Sequence, residues 1–305
     1  MAESTASVPV TDQLERAGRN RATLARLRRQ VQLRYIAVVI PLVLYLLFFY
    51  AYPVIAMLFR SVSEPTWSLT NYSHLLRTNV YVHVMWITVW ISIVVTVCTL
   101  ILGYPVAYLI SSVTTTKSNL LIVLVLVPFW TSILVRTYAW MVLLGRQGII
   151  NELLQSMGII DQPLRLLNTR FAVYVAMVHI LLPFMILPLY SVMRGIDRSV
   201  LLAAEGLGAR PRAVFTQVML PLSLPGVAAG CLLVFILSLG FYITPALVGG
   251  PKDLMISVLI AQQVDLFNWA FASALAAVLL VGALLIFVIF NRILGVEKIF
   301  GEVRS

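Results

Sequence analysis

Six stretches of this chain, at about 36–59, 84–111, 119–143, 171–190, 226–244 and 270–290, run for about twenty residues with almost no charge. A helix rising about 1.5 Å per residue needs about 20 residues to cross a hydrocarbon core of about 30 Å. Runs of that length leave no water-facing side for a soluble fold. Composition points the same way. The chain is 61% hydrophobic and 11% charged, where a soluble domain of this size carries about a quarter charged residues. The expected fold class is therefore an all-α polytopic membrane protein with six transmembrane helices over residues 36–294. A basic tail (1–35) precedes them and a short polar tail (295–305) follows.

The net charge of +10 does not indicate nucleic acid. The basic residues are scattered at loop ends and form no patch interleaved with exposed aromatics. They do report orientation. With the N-terminal arginines inside, fifteen of the 22 Lys and Arg residues fall on the inner side, which predicts that both ends are cytoplasmic. The tail with Arg16, Arg19, Arg21, Arg26, Arg28, Arg29 and Arg34 either lies on an anionic leaflet or is a solvated topogenic segment. The apolar run after it is too long for a secretory signal, and no small-residue cleavage site is visible.

No catalytic constellation is visible. There is no Gly-Lys-Ser/Thr sequence to cradle a nucleotide phosphate. Cys98 and Cys231 lie inside apolar runs and read as small core residues. His74, His83 and His179 have no metal-ligand spacing, and His179 reads as a packing histidine; no metal site is expected. All acids lie outside the span centres, so the carboxylate relay of a proton-coupled carrier is missing. Energy for transport would have to come from a partner.

The polar stretch from Asp197 to Gly226 offers a seat for one. Asp197 or Ser199 can cap a short helix through Leu202, Ala203, Ala204 and Glu205. Gly208 suits the left-handed position that ends it. Ala209 and Arg210 then lead to Pro211, which suits the first turn of a second helix carrying Val214, Phe215 and Val218 on one side. Pro221 and Pro225 are expected to stop that helix before the next apolar run. Such a helix–elbow–helix knob either docks into another protein or lies on the bilayer as an amphipathic linker.

The third run holds Pro128, Phe129, Trp130, Thr131 and Ser132, then Arg136, Tyr138 and Trp140. Its aromatics either line a path or form an interfacial belt. Ser238, Phe241, Tyr242 and Thr244 are expected on the fifth span, which follows the polar loop directly. Arg136, near the outer end, is expected to pair with an acid of this chain or of a partner subunit. Prolines 41, 53, 105, 128, 183 and 188 predict kinks. Gly226, Gly230 and the alanines from Ala270 to Ala277 allow close helix packing. The outer segments 60–83, 144–170 and 245–269 are longer than turns; a short helix is expected at 149–157 and a turn at Gly249-Gly250-Pro251.

The polar loop resembles the cytoplasmic "EAA" coupling loop of ABC importer permeases. That pattern is Glu-Ala-Ala, a Gly further on, and a hydrophobic stretch ending in Leu-Pro. Here it is met by Ala203-Ala204, Gly208-Ala209, Phe215, Leu220-Pro221 and Pro225-Gly226. Leu202 stands where the family has Glu, and Glu205 lies one turn away on roughly the same face. PFWTSILVRTYAW, GRQGIINELL, HILLPFMILPLY and GFYITPALVGGP are similar to the spermidine/putrescine-type (PotB-like) branch of these permeases, from about residue 36 to 294. The resemblance implies a type I importer permease in the bacterial inner membrane. It also implies a second related permease subunit, a cytoplasmic ATPase dimer and a periplasmic or lipid-anchored solute-binding protein. ATP and Mg would sit on the ATPase, with no cofactor on this chain. The implied substrate is a polyamine. Trp130, Thr131, Tyr138, Ser238, Phe241, Tyr242 and Thr244 are then the expected pathway, where ring faces attract ammonium groups by about 0.5–2 kcal/mol each. The opposing expectations are a stand-alone secondary carrier or channel of six spans, and a membrane scaffold whose loop only recruits a partner.

Overall fold

The computed structural model describes residues 35, 37–64 and 67–294. The basic segment 1–34 and the tail 295–305 lie outside the described residues. Among the described residues the regular structure is entirely helical. The chain divides into two units, 1–59 and 60–305.

Residues 37–59 of the first unit form most of one helix, α1 (Ala37–Ser63). It is apolar all round, with Leu42, Phe48 and Tyr50 all exposed, which suits a helix whose surroundings are lipid. A wide turn at Leu47–Ala51, in which Tyr52 N–H donates to Leu47 O, comes just before Pro53. Proline cannot donate, and its ring needs room beside the preceding turn, so a widened turn at that point keeps the helix unbroken.

The second unit contains α2 (Thr70–Arg77), α3 (Asn79–Ser112), α4 (Thr115–Trp130), α5 (Ile133–Leu144) and α6 (Ile149–Ser156). These are followed by α7 (Arg170–Gly195), α8 (Arg198–Gly206), α9 (Pro211–Leu239), α10 (Ile243–Val248), α11 (Ile256–Asp265) and α12 (Trp269–Leu294). Among the described residues five helices are long and apolar enough to cross a membrane, and the bent pair that begins with α4 brings the number to six if it is counted as one span. The expected runs 36–59, 84–111, 171–190 and 270–290 are found as α1, α3, α7 and α12, each longer than the apolar run alone.

Two of the expected spans differ in the structure. The run 119–143 is not one helix. It breaks at Thr131-Ser132, and the two halves are bent by 88°. Pro128 removes one ladder donor, Thr131 and Ser132 turn extended, and Thr131 Oγ1 donates to Pro128 O at 2.7 Å in place of the next turn. The fifth span does not start at 226. The second loop helix runs on without a stop as α9, so Pro221 and Pro225 do not end it. A wide turn at Phe215–Met219, with Leu220 N–H donating to Phe215 O, precedes Pro221 at the same spacing as in α1. Nor does this span reach 244. It ends at Leu239, and Thr244 lies in the separate helix α10. Pro105, Pro183 and Pro188 are carried inside α3 and α7.

The core lies where α3, α7 and α9 meet. Ile91 and Val95 of α3, Met177, Leu181, Met185 and Leu189 of α7, and Val234 of α9 are all fully buried. Small residues allow the approach. A Cβ on Gly230 would lie 2.7 Å from Met185 Sδ, and one on Gly226 would lie 3.2 Å from the Leu189 Cα. A second cluster joins Leu75 of α2, Val84 of α3, Ile256 and Leu259 of α11, and Phe271 and Leu275 of α12. Ala272, Ala274 and Ala277 are buried on α12.

The outer segments are stapled by polar groups. Asn151, fully buried, donates from Nδ2 to Gly145 O and Leu164 O (both 3.0 Å) and accepts from Leu164 N–H. Arg170 Nε lies 2.7 Å from Asp253 Oδ1 and fixes the turn at Pro251–Asp253 against the start of α7. Gly250 belongs there because a Cβ would lie 2.5 Å from Asn168 O.

Candidate functional site

The expected pathway residues fall at or near two helix breaks, and the fold joins the helices that follow those breaks. Trp130 and Thr131 form the first, between α4 and α5. Gly240, Phe241 and Tyr242 form the second, between α9 and α10, with Ser238 in the last turn of α9. In α5, Thr137 donates from Oγ1 to Ile133 O at 2.8 Å. Its hydroxyl proton is thereby committed, so Thr244 of α10 donates to Thr137 Oγ1 across 3.1 Å. Both threonines are fully buried.

Broken backbone inside a hydrocarbon layer must be covered by protein or line a wet cavity, since lipid offers no hydrogen-bond partner. The side chains there are aromatic and hydroxylic. Trp130 (73%) and Tyr242 (45%) are exposed and Phe241 is half-buried. Tyr138 is exposed on α5. Ser238 Oγ is buried with no hydrogen-bond partner among the described residues.

Trp140 does not extend an aromatic belt. It turns inward, donating from Nε1 to His179 Nδ1 at 3.2 Å with the rings edge-on. The expectation of a packing histidine is met: Nδ1 accepts, so the ring proton sits on Nε2. Arg136 has its Nε buried and no acid against it among the described residues. No group of three or more metal-binding side chains occurs among the described residues. The cysteines are free.

The loop 196–226 is built as its sequence predicts at its first half. Asp197 caps α8, its Oδ1 accepting from Ser199 N–H at 2.9 Å. That bond holds the Asp197 carboxyl below its usual range. Leu207 N–H donates to Ala203 O, and Gly208 follows with φ +84°. Pro211 opens α9. Leu202, Ala203, Glu205 and Leu207 all point outward, Leu202 64% and Leu207 91% exposed. Exposed leucines thus stand around a carboxylate on a short helix. Ala204 and Ala209 are half-buried, and Arg210 is exposed.

The second half differs from expectation. Val214 is buried and Phe215 half-buried. Phe215 stands edge-on to Tyr104 and Tyr108 of α3, with centroids 5.9 and 5.6 Å apart. Leu220 and Pro221 are exposed inside α9. Arg198 donates to Ser112 O at 3.2 Å, and Arg194 donates to Thr115 Oγ1 at 2.8 Å. These arginines meet the carbonyl end of α3, where a cation is favoured. Beside them an open groove of about 600 Å³ is lined by Tyr108, Arg194, Arg198, Leu202, Glu205 and Met219. The contacts of Arg194, Arg198, Thr137 and Tyr104 were not read from the sequence. Their partners lie far away along the chain, and no local pattern announces them.

Residues 35–295 match the family model described as "Binding-protein-dependent transport system inner membrane component". The chain belongs to this family of transport permeases. The membership covers both breaks and the loop. Among relatives, the "Spermidine/putrescine transport system permease protein PotB" of Haemophilus influenzae is 40% identical over 251 residues, 81% of this chain and 83% of that protein. The Escherichia coli K12 protein of the same name is 37% identical over 215 residues, 70% and 78% of the two chains. The E. coli "Inner membrane ABC transporter permease protein YdcU" is 34% identical over 217 residues, 66% and 69% of the two chains. A solved bacterial ABC transporter involved in import of the acidic polysaccharide alginate has a chain with the same fold. It matches with TM-score 0.70 over 88% of this chain and 98% of that one, at 18% identity. The fold is that of a type I importer permease. As a family member the chain is a multi-pass transport permease, and the readings as a stand-alone carrier or a bare scaffold are set aside.

Proposed function

We propose that this permease imports a polyamine of the putrescine/spermidine class across the bacterial inner membrane by alternating access. The observation that carries this is the pair of broken helices joined at Thr137 and Thr244, with Trp130, Tyr138, Phe241 and Tyr242 around them. Aromatic faces hold ammonium groups without fixing their chemistry further. The helices α1, α3, α4, α5, α7, α9 and α12 contain no Asp or Glu. The counter-charge for a di- or tricationic solute therefore comes from rings, from the second permease subunit, or from the binding protein alone. Relatives named as spermidine/putrescine permeases support the same substrate class.

Both termini and the loop 196–226 face the cytoplasm in this reading. Leu202, Ala203, Glu205, Gly208 and Arg210 present the surface for an ATPase dimer, which binds ATP and Mg. Leu202 supplies apolar contact where the family pattern has a carboxylate, and Glu205 supplies the charge. A solute-binding protein delivers the substrate to the opposite face, at the segments stapled by Asn151 and by the Arg170–Asp253 pair.

The test is purification of the tagged chain from its native membrane, with mass spectrometry of what accompanies it. The expected companions are an ATPase, a second six-span permease and a solute-binding protein. The binding protein is then titrated with putrescine, spermidine and amino acids. Tight binding of amino acids and none of polyamines would overturn the substrate class. Purification without an ATPase, under conditions that keep another ABC complex whole, would overturn the mechanism.

A further inference from the structure

One helix touches both the loop and the second break. At its Ser112 end, α3 receives Arg198 on the carbonyls of Ser111 and Ser112 (3.5 and 3.2 Å). It receives Phe215 between Tyr104 and Tyr108. Tyr104 Oη also lies 2.9 Å from Ser223 Oγ of α9. Near its other end, Thr88 is buried, donates from Oγ1 to Val84 O at 2.8 Å, and accepts from Ile256 N–H at 2.8 Å. One residue on, Ser257 Oγ donates to Phe241 O at 2.6 Å. Phe241 is in the break. The start of α11 is thus held by α3 on one side and holds the pathway backbone on the other.

Ile256 opens α11, and its N–H has no partner within that helix. Buried, it requires an acceptor, and the Thr88 hydroxyl supplies one. Between the two ends, the hydroxyls of Ser92, Thr96 and Thr99 all bond back to carbonyls of α3 itself. They satisfy their own helix and make no cross-link, so the polar ties of α3 described here lie toward its two ends, at Tyr104 and Ser112 on one side and at Thr88 on the other.

We propose that α3 is the rod that carries movement of the loop 196–226 to the break at Gly240–Tyr242, and that Thr88 is the positioning residue at its far end. This rests on the loop being the ATPase seat. A shift of α8 and Phe215 moves the Ser112 end of α3, Thr88 moves with it, and Ile256 and Ser257 reset the Phe241 carbonyl and the adjoining Tyr242.

The experiment uses the complete importer in proteoliposomes with its binding protein, and reads ATP hydrolysis and uptake of radiolabelled spermidine together. Thr88→Val keeps the shape and removes the acceptor; Thr88→Ser keeps the oxygen. Thr88→Val is expected to hydrolyse ATP at near the wild-type rate while uptake per ATP falls about threefold or more, the scale of a coupling residue. Thr88→Ser restores the ratio, which a purely structural role would not predict. Ser257→Ala, on a half-buried site, gives the same fall and serves if Thr88→Val does not assemble. An unchanged ratio in Thr88→Val or in Ser257→Ala overturns the rod, as does an equal defect in Thr88→Ser. Wild-type uptake that needs no ATPase overturns the coupling reading itself, a separate result.

Discussion

Thr137 Oγ1 and Thr244 Oγ1 lie 3.1 Å apart, on two short helices that each begin just after a break in a spanning element. One hydrogen bond thus ties the two interruptions of the membrane domain to each other. Interhelical hydrogen bonds in membrane proteins are worth about 0.6 kcal/mol on average, and up to about 1.7. A Thr137→Val/Thr244→Val double-mutant cycle, read by denaturant unfolding of the purified permease, is expected to give a coupling energy of about that size. Zero coupling would mean that the breaks are held by packing alone.

Ring faces at the breaks should matter for transport and not for assembly. Trp130→Ala and Tyr242→Ala are each expected to lower polyamine uptake about tenfold or more. Each removes a cation–π contact, worth up to about 2 kcal/mol where desolvated. Co-purification of the ATPase should be unchanged. Normal uptake in both variants would move the pathway elsewhere.

Gly208 has φ +84° and open space where a Cβ would go. Its substitution therefore tests backbone conformation and not crowding. Left-handed backbone costs most residues about 1–2 kcal/mol, and Asn least. Gly208→Asn should keep more ATPase binding than Gly208→Val. Gly208→Asp should insert normally and abolish transport, because it adds a charge at the docking elbow. Membrane fractionation and ATPase pull-down check the two halves of this prediction.

The Asp197 carboxyl is held below its usual range by the Ser199 N–H. A depressed carboxylate stabilises the fold above its unfolded pKa and loses that contribution as pH falls through the folded value. ATPase binding should therefore not respond to this group across neutral and mildly acidic pH, and should weaken only below the ordinary carboxylate range. Asp197→Asn should bind as the wild type does, since Asn caps as well. Asp197→Ala should fray α8, seen as faster hydrogen exchange at Ser199 and Val200.

Gly230 leaves 2.7 Å between its would-be Cβ and Met185 Sδ, and 3.2 Å to Met185 O. Gly230→Ala should destabilise the permease by about 1–3 kcal/mol, the cost of overpacking a tight core. In a Met185→Ala background the added cost of Gly230→Ala should shrink but not vanish, because the backbone oxygen remains. Thermal unfolding in detergent of the single and double variants measures both.

Charge-free runs alone determined that this chain is helical and membrane-spanning, because a hydrocarbon layer admits so few solutions for the backbone. Local chemistry also determined the Asp197 cap, the Gly208 elbow and the Pro211 start, since each is decided by one residue and its neighbours. Tertiary structure alone decided where helices break and which continue. Hydropathy averages over Thr131-Ser132 and over Gly240, so both interrupted elements read as single spans. Pro221 reads as a stop, yet a widened turn two residues earlier carries α9 past it. The same holds for Phe215, whose apolar ring looks like part of a docking face until Tyr104 and Tyr108 are found beside it. The residues that join the site, Thr137 to Thr244 and Thr88 to Ile256, lie more than a hundred positions apart in the chain. Their pairing depends on how the helices cross, and helix crossings are set by side-chain packing that no single segment of the sequence contains.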